Sequence, residues 1–249
     1  MEPFLKGHLE QANEEGRDRE AVTLFSELGG FYRGSGRFSE SEQAFLNALR
    51  LMERAGRTES MEYAVLLINL AGTRRFLRQF GEALSLYEEA EAILKGFNSE
   101  EGLAYRLASL KNNQSLVWQD MGKPDKASVC LKEALKLIRS LQNCREEEAI
   151  TCTNLALLEG KQGNLEAESG YLDEALRLFS SMDVTNNPHY AAALSAMGMN
   201  RYHRGLYEEA VRAYEQALEL LVRLFGRNRE AEILEHNLDM AKKALEESR

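Results

Sequence analysis

Five alanines recur along this chain at nearly constant spacing: Ala48, Ala90, Ala134, Ala175 and Ala217. The intervals are 42, 44, 41 and 42 residues, and each alanine sits in a similar phrase, such as FLNALRL, LKEALKL or YEQALEL. A second ladder, Gly29, Ala71, Ser115, Ala156 and Gly198, runs about twenty residues upstream with the same intervals. Two small-residue ladders in one register mean one structural unit repeated five times. A repeat array packs each unit mainly on its neighbours, so a length of 249 residues does not translate into a count of ordinary domains.

Within a unit the apolar residues follow a helical period. Leu194, Met197 and Gly198 fall on one face of a first helix, and Tyr207, Ala210, Tyr214, Ala217 and Leu218 on one face of a second. Gly205 lies between them, where a left-handed backbone ends the first helix, and Gly36, Gly122 and Gly163 stand in the same place. Arg78 takes that place in the second unit, with Gly81 three residues later, so that turn is expected to be slightly remodelled. Phe38, Phe80, Pro124, Leu165 and Tyr207 follow two residues after the turn and open the second helices. Small residues let two helices approach closely. The upstream ladder is expected to seal each unit internally and the downstream ladder to seal it against the next. Phe45, Tyr87, Leu131, Leu172 and Tyr214 are expected to fill the gaps alongside, with Trp118 on the packed side of its helix in the place of Tyr32.

The pattern resembles the tetratricopeptide repeat, a helix–turn–helix unit with small residues in both helices. The unit here is longer than the usual length of about 34 residues. The segments NNQSLVWQDMGKPDKASVCLKEALKL and TNLALLEGKQGNLEAESGYLDEALRL look like repeats of the kinesin light chain subclass. The resemblance covers roughly residues 20 to 247 and implies an all-α, right-handed α-solenoid. Residues 1–249 would form one superhelical domain of about five helix pairs, with repeats at about 22–55, 64–97, 108–141, 149–182 and 191–224. Paired helices are expected near 17–34 and 38–54, 59–77 and 80–95, 99–121 and 124–142, 145–162 and 165–181, and 187–203 and 207–223. A leading helix over 3–15 and a capping helix over 228–247 complete the map. The cap places Asp239 in the small-residue register, as suits a face that meets water. The array is expected to end with the chain, with no catalytic domain attached.

Composition narrows the function. The net charge is −9, and no Lys/Arg-rich run offers a nucleic acid or an anionic membrane a footprint. No stretch approaches the roughly 20 apolar residues of a membrane span, and the first twenty residues lack an apolar signal core. Cys130, Cys144 and Cys152 form no CxxC pair and read as free thiols, which points to the cytoplasm. His8, His189, His203 and His236 have no metal-ligand spacing, and the glycines from Gly29 to Gly36 lack the spacing of a phosphate loop. Neither a cofactor, a metal nor an enzymatic activity is expected.

One feature exceeds the needs of packing. Asn69, Asn113, Asn154 and Asn237 recur in one register of the first helices, although Asn costs about 0.5 kcal/mol inside a helix. Two readings stand: the amides grip a peptide backbone, or they bond neighbouring helices and stiffen the array. The resemblance implies that first helices line a concave surface. Arg33, Asn69, Arg75, Asn112, Asn113, Gln119, Asn154, Lys161 and Tyr202 would then form a peptide-binding groove, with Phe76, Leu116 and His203 beside them. Arg33, Arg75 and Lys161 make it less acidic than the chain, which suits a partner carrying negative charge. The Lys/Asn/Lys/Arg clamp of tetratricopeptide cochaperones looks absent, since Ser26, Gly30, Ser109 and Asn113 occupy the comparable places. The expected function is a protein–protein interaction scaffold or adaptor that holds a linear peptide or partner helix, acidic and aromatic by the kinesin light chain resemblance. The chain would be a monomer or weak homodimer. A regulatory sensor whose superhelix responds to a small peptide or ligand, and a self-assembling oligomer, are the alternatives.

Overall fold

The computed structural model describes residues 1–97 and 102–248. These residues form twelve α-helices and no strands. The fold is an all-α helical-repeat solenoid. Backbone contacts divide the chain into two compact units, Met1–Cys130 and Leu131–Arg249, and the division falls within α7 (Pro124–Arg139).

The first unit contains α1 (Glu2–Glu14), α2 (Asp18–Gly34), α3 (Phe38–Arg54), α4 (Met61–Phe76), α5 (Phe80–Lys95) and α6 (Leu103–Asp120). Each packs on the next, and α2, α4 and α6 also touch side by side. The second unit contains α8 (Arg145–Lys161), α9 (Leu165–Phe179), α10 (Pro188–His203), α11 (Tyr207–Phe225) and α12 (Arg229–Glu247). Within it α8, α10 and α12 form the matching row. The predicted start of the sixth helix at 99 lies outside the described residues. The second helices begin at Phe38, Phe80, Pro124, Leu165 and Tyr207, where the turn chemistry places them.

One turn motif joins the two helices of every pair. Its mark is a six-residue backbone bond: Arg37 N–H to Tyr32 O at 2.8 Å, Lys123 to Trp118 at 2.9 Å, Asn164 to Glu159 at 3.0 Å and Leu206 to Arg201 at 2.9 Å. The residue before each donor takes a left-handed backbone, and Gly36, Gly122, Gly163 and Gly205 supply it without a Cβ clash. Arg78 corrects the sequence expectation. It adopts φ 60° itself, and Gln79 N–H donates to Arg74 O at 3.0 Å, so the second turn keeps the common geometry. Tertiary packing imposes a conformation that costs an L-residue roughly 1–2 kcal/mol.

All five ladder alanines are fully buried, as are Ala71, Ser115 and Ala156. The glycines show why the upstream ladder is small. A Cβ on Gly29 would stand 2.7 Å from the Phe45 ring, and one on Gly198 would stand 2.6 Å from the Tyr214 ring. Each aromatic lies on the second helix of the same pair, so this ladder seals each unit internally, as expected. Trp118 departs from its expected place in the core: it is half-buried, and the Lys123 and Lys126 ammoniums lie 5.5 and 4.4 Å from its ring centroid. Asp239 is exposed on α12.

Candidate functional site

In the first unit, Asn69, Gly72, Arg75 and Phe76 lie three or four residues apart along α4 and therefore share one face. Asn113 and Leu116 do the same on α6. Arg33 reaches across from α2, where its Nη1 donates to the Asn69 carbonyl oxygen at 3.0 Å. Tyr87, on α5 beneath them, is fully buried. These residues line one cavity of about 250 Å³. Four residues expected in a groove (Arg33, Asn69, Arg75 and Asn113) are thus brought together.

The cavity is cationic and rich in donors. Arg33 and Arg75 are its charged lining residues, and Arg75 Nε lies 3.3 Å from Asp120 Oδ2. Burial lowers the pKa of the Arg33 guanidinium, and the Arg75 charge adds to that effect against the opposing pull of Tyr87. Burial pushes the Tyr87 phenol well above its ordinary value, so it is held as a donor. Among the described residues, no hydrogen bond engages the side-chain amide of Asn69 or Asn113. At the rim, Phe76 is 46% exposed and stacks on Phe38 with ring centroids 4.8 Å apart. The Arg75 guanidinium lies 4.5 Å from the Phe76 ring centroid.

The other expected groove residues lie elsewhere. Asn112 turns its amide onto its own helix, donating to Ala108 O at 3.3 Å. Gln119 is half-buried on α6 outside the cavity lining. Asn154, half-buried, and Lys161, exposed, belong to α8 in the second unit. Tyr202 lines a separate cavity of about 220 Å³ in that unit with Met199, His203, Tyr214, His236 and Met240.

Sequence reasoning missed three residues. Tyr87 reads as a core filler, because Phe45 and Leu131 hold the same register; its hydroxyl is the one available signal. Gly72 adjoins the ladder residue Ala71, and its mid-helix cost of about 1 kcal/mol was the clue. Asn200 sits outside the asparagine register and is fully buried, donating to Leu165 O at 2.9 Å and Glu168 Oε2 at 2.8 Å. It ties one pair to its neighbour.

The tetratricopeptide repeat family pattern matches residues 19–96 and again residues 191–231. Those two segments are tetratricopeptide repeats. No curated protein matches its sequence. Solved structures resemble it in fold. BtubC (BKLC) from P. vanneervenii superposes with a TM-score of 0.72 at 21% identity, over 84% of this chain and 84% of that one. The nearly identical TPR-like repeats assigned to a kinesin light chain of Podosopora anserina give a TM-score of 0.63 at 17% identity, over 81% of this chain and 95% of that one. A signal-transduction ATPase from Pyrococcus horikoshii with a tetratricopeptide repeat sensor gives 0.67 at 15% identity, over 91% of this chain but 32% of that protein. This tetratricopeptide array therefore has the architecture of kinesin light chain-like repeats. Among its described residues no helix is long and apolar enough to cross a membrane, and no cluster of His, Cys, Asp and Glu could hold a metal ion.

Proposed function

We propose that the chain is a non-enzymatic protein–protein interaction scaffold whose first unit holds a linear peptide segment along the face shared by α2, α4 and α6. The observation that carries this reading is the convergence of Arg33, Asn69, Arg75 and Asn113 on one cavity, with both amides unengaged. An amide offers a donor and an acceptor together, so it binds an extended backbone whatever side chains that backbone carries. Arg33 and Arg75 select segments with negative charge. The exposed Phe38–Phe76 stack offers an aromatic side chain a flat apolar surface at the rim. Free thiols at Cys130, Cys144 and Cys152 fit work in a reducing cytoplasm.

The test begins with selection of peptides on the purified chain from a display library. Titration of a selected peptide against Asn69→Ala with Asn113→Ala follows, read by fluorescence anisotropy. Loss of both amides weakens binding at least about tenfold, near 1.4 kcal/mol, while the helical circular dichroism is unchanged. Unaltered affinity, or early melting of the double variant, refutes the reading.

A further inference from the structure

The cavity of the second unit collects a different set of donors. Met199 and His203 stand four residues apart on α10, and His236 and Met240 stand four apart on α12. Each helix therefore brings one thioether and one imidazole to the same space of about 220 Å³. Met199 and Met240 are one repeat apart, and α10 touches α12, so the two thioethers meet across neighbouring first helices. Helical side chains lean toward the helix N-terminus, which carries His203 back over Met199 and Met240 back over His236. The histidines have no metal-ligand spacing in the sequence. The donors that complete the set are methionines, and the repeat brings them together.

Packing does not account for this set. Met199 is 42% exposed and Met240 45%, whereas the core methionine Met52 is 1% exposed. His203 and His236 are exposed as well, and among the described residues no hydrogen bond engages either imidazole. The described lining holds no carboxylate, no cysteine, no lysine and no arginine. Burial pushes the Tyr214 phenol up to about 12, so its oxygen stays protonated. Calcium and magnesium call for several hard oxygen ligands, and zinc for thiolate, imidazole or carboxylate. Thioether sulfur is soft and selects copper in its +1 state. An uncharged donor set suits such a monovalent ion. The unbranched methionine side chain can swing onto it without moving the helix.

We propose that this cavity binds one cuprous ion, with the Met199 and Met240 thioethers as its sulfur ligands and imidazole nitrogen from His203 and His236 completing the coordination. Binding is a ligand exchange at Cu(I) with no change of oxidation state. The site lies in the other unit from the proposed peptide face and does not depend on it.

Anaerobic competition for Cu(I) between the purified chain and the chromophoric chelator bathocuproine disulfonate provides the test. The chain withdraws one copper per molecule, and X-ray absorption of the loaded chain shows both sulfur and nitrogen neighbours. Met199→Leu with Met240→Leu keeps volume and helicity and weakens affinity at least about a hundredfold, more than loss of an outer-sphere partner costs. His203→Gln with His236→Gln weakens it about tenfold or more. Cys144→Ser, which removes the one cysteine that is not buried, leaves it unchanged. No uptake of copper, or unaltered affinity in the methionine double variant, overturns the proposal. Loss of binding in Cys144→Ser, or a copper with sulfur neighbours only, overturns it by placing the ion on thiolates. Zinc held through the same four residues at lower concentration overturns the choice of ion. Copper binding by a chain that selects no peptide, or peptide binding by a chain that takes up no copper, shows that the two readings fall separately.

Discussion

The cavities of the two units occupy one register of the repeat, and apart from a tyrosine and an asparagine they differ in chemistry. Tyr87 floors the first and Tyr214, three repeats later, lines the second. Around them Gly72 corresponds to Met199, Arg75 to Tyr202, Phe76 to His203 and Leu116 to Met240. Only the asparagine pair, Asn113 and Asn237, is kept. The volumes, about 250 and 220 Å³, are similar because the same helix geometry sets them. The linings diverge because no packing requirement reaches them. Burial raises both tyrosines, Tyr214 to about 12 and Tyr87 further. Only the Tyr87 hydroxyl is among the buried atoms without a partner. The comparison separates what a repeat must conserve to stack from what it can vary to bind.

The sharpest way to break this comparison is to fill the small positions. Gly29→Leu and Gly198→Leu drive side chains into the Phe45 and Tyr214 rings, and each should cost about 3 kcal/mol or more in urea unfolding. Gly72→Leu meets only the tip of the Arg33 side chain and, more distantly, the Tyr87 hydroxyl, and should cost less than about 1 kcal/mol. Equal losses at all three positions would show that the Gly72 opening is a packing seam and that the two units do not differ there. A smaller effect distinguishes the tyrosines. Tyr87→Phe removes an unpartnered hydroxyl and should stabilise the unliganded chain by up to about 1 kcal/mol, whereas Tyr214→Phe should stay within about 0.5 kcal/mol. Destabilisation by Tyr87→Phe would mean that its hydroxyl already has a partner.

The smallest effect contrasts the outer helices. Hydrogen bonds from Lys6 on the same helix and from Arg37 and Tyr32 on the next pair lower the Glu2 carboxyl to about 2, and the latter two tie α1 down beside its buried Leu5 and Ala12. A carboxylate depressed by folding stabilises fully above its ordinary value near 4.5, and that contribution is lost as pH falls from there toward 2. On α12 the buried Leu234, Leu238 and Ala241 are joined by a half-exposed ion pair to α11, Lys242–Glu215, whereas the lowered Glu2 carboxyl lies on α1. Amide hydrogen exchange at pH 5 and pH 3 should show α1 losing protection while α12 keeps it. Equal loss at both ends would remove the distinction.

Much of the fold was legible because stacking repeats a demand every forty-odd residues. The ladders, the turn glycines and the residues that open each second helix repeat with it, and each lies where its spacing implied. Arg78 was misread because a single turn gives no sign that its neighbours will hold an arginine in a left-handed backbone. The site was half legible. Helical spacing put Asn69, Arg75 and Phe76 on one face, and the same reading extended the groove to Asn112, Gln119 and Asn154, which lie outside this cavity's lining. Asn112 shows why: a residue's register fixes its direction only to within a rotamer, and its amide turned back onto Ala108.

The sequence by itself determined the repeat, its period, its seams and the candidates for a polar face, since these depend on contacts between residues at fixed spacing. Tertiary structure alone decided that Arg33 reaches the Asn69 carbonyl, that the missing Gly72 side chain leaves an opening, and that the Tyr87 hydroxyl waits beneath it without a partner. Those three facts join α2, α4 and α5 across sequence separations that carry no period. Close packing of helices, which no single segment encodes, is what sets an unpartnered donor beside two guanidiniums.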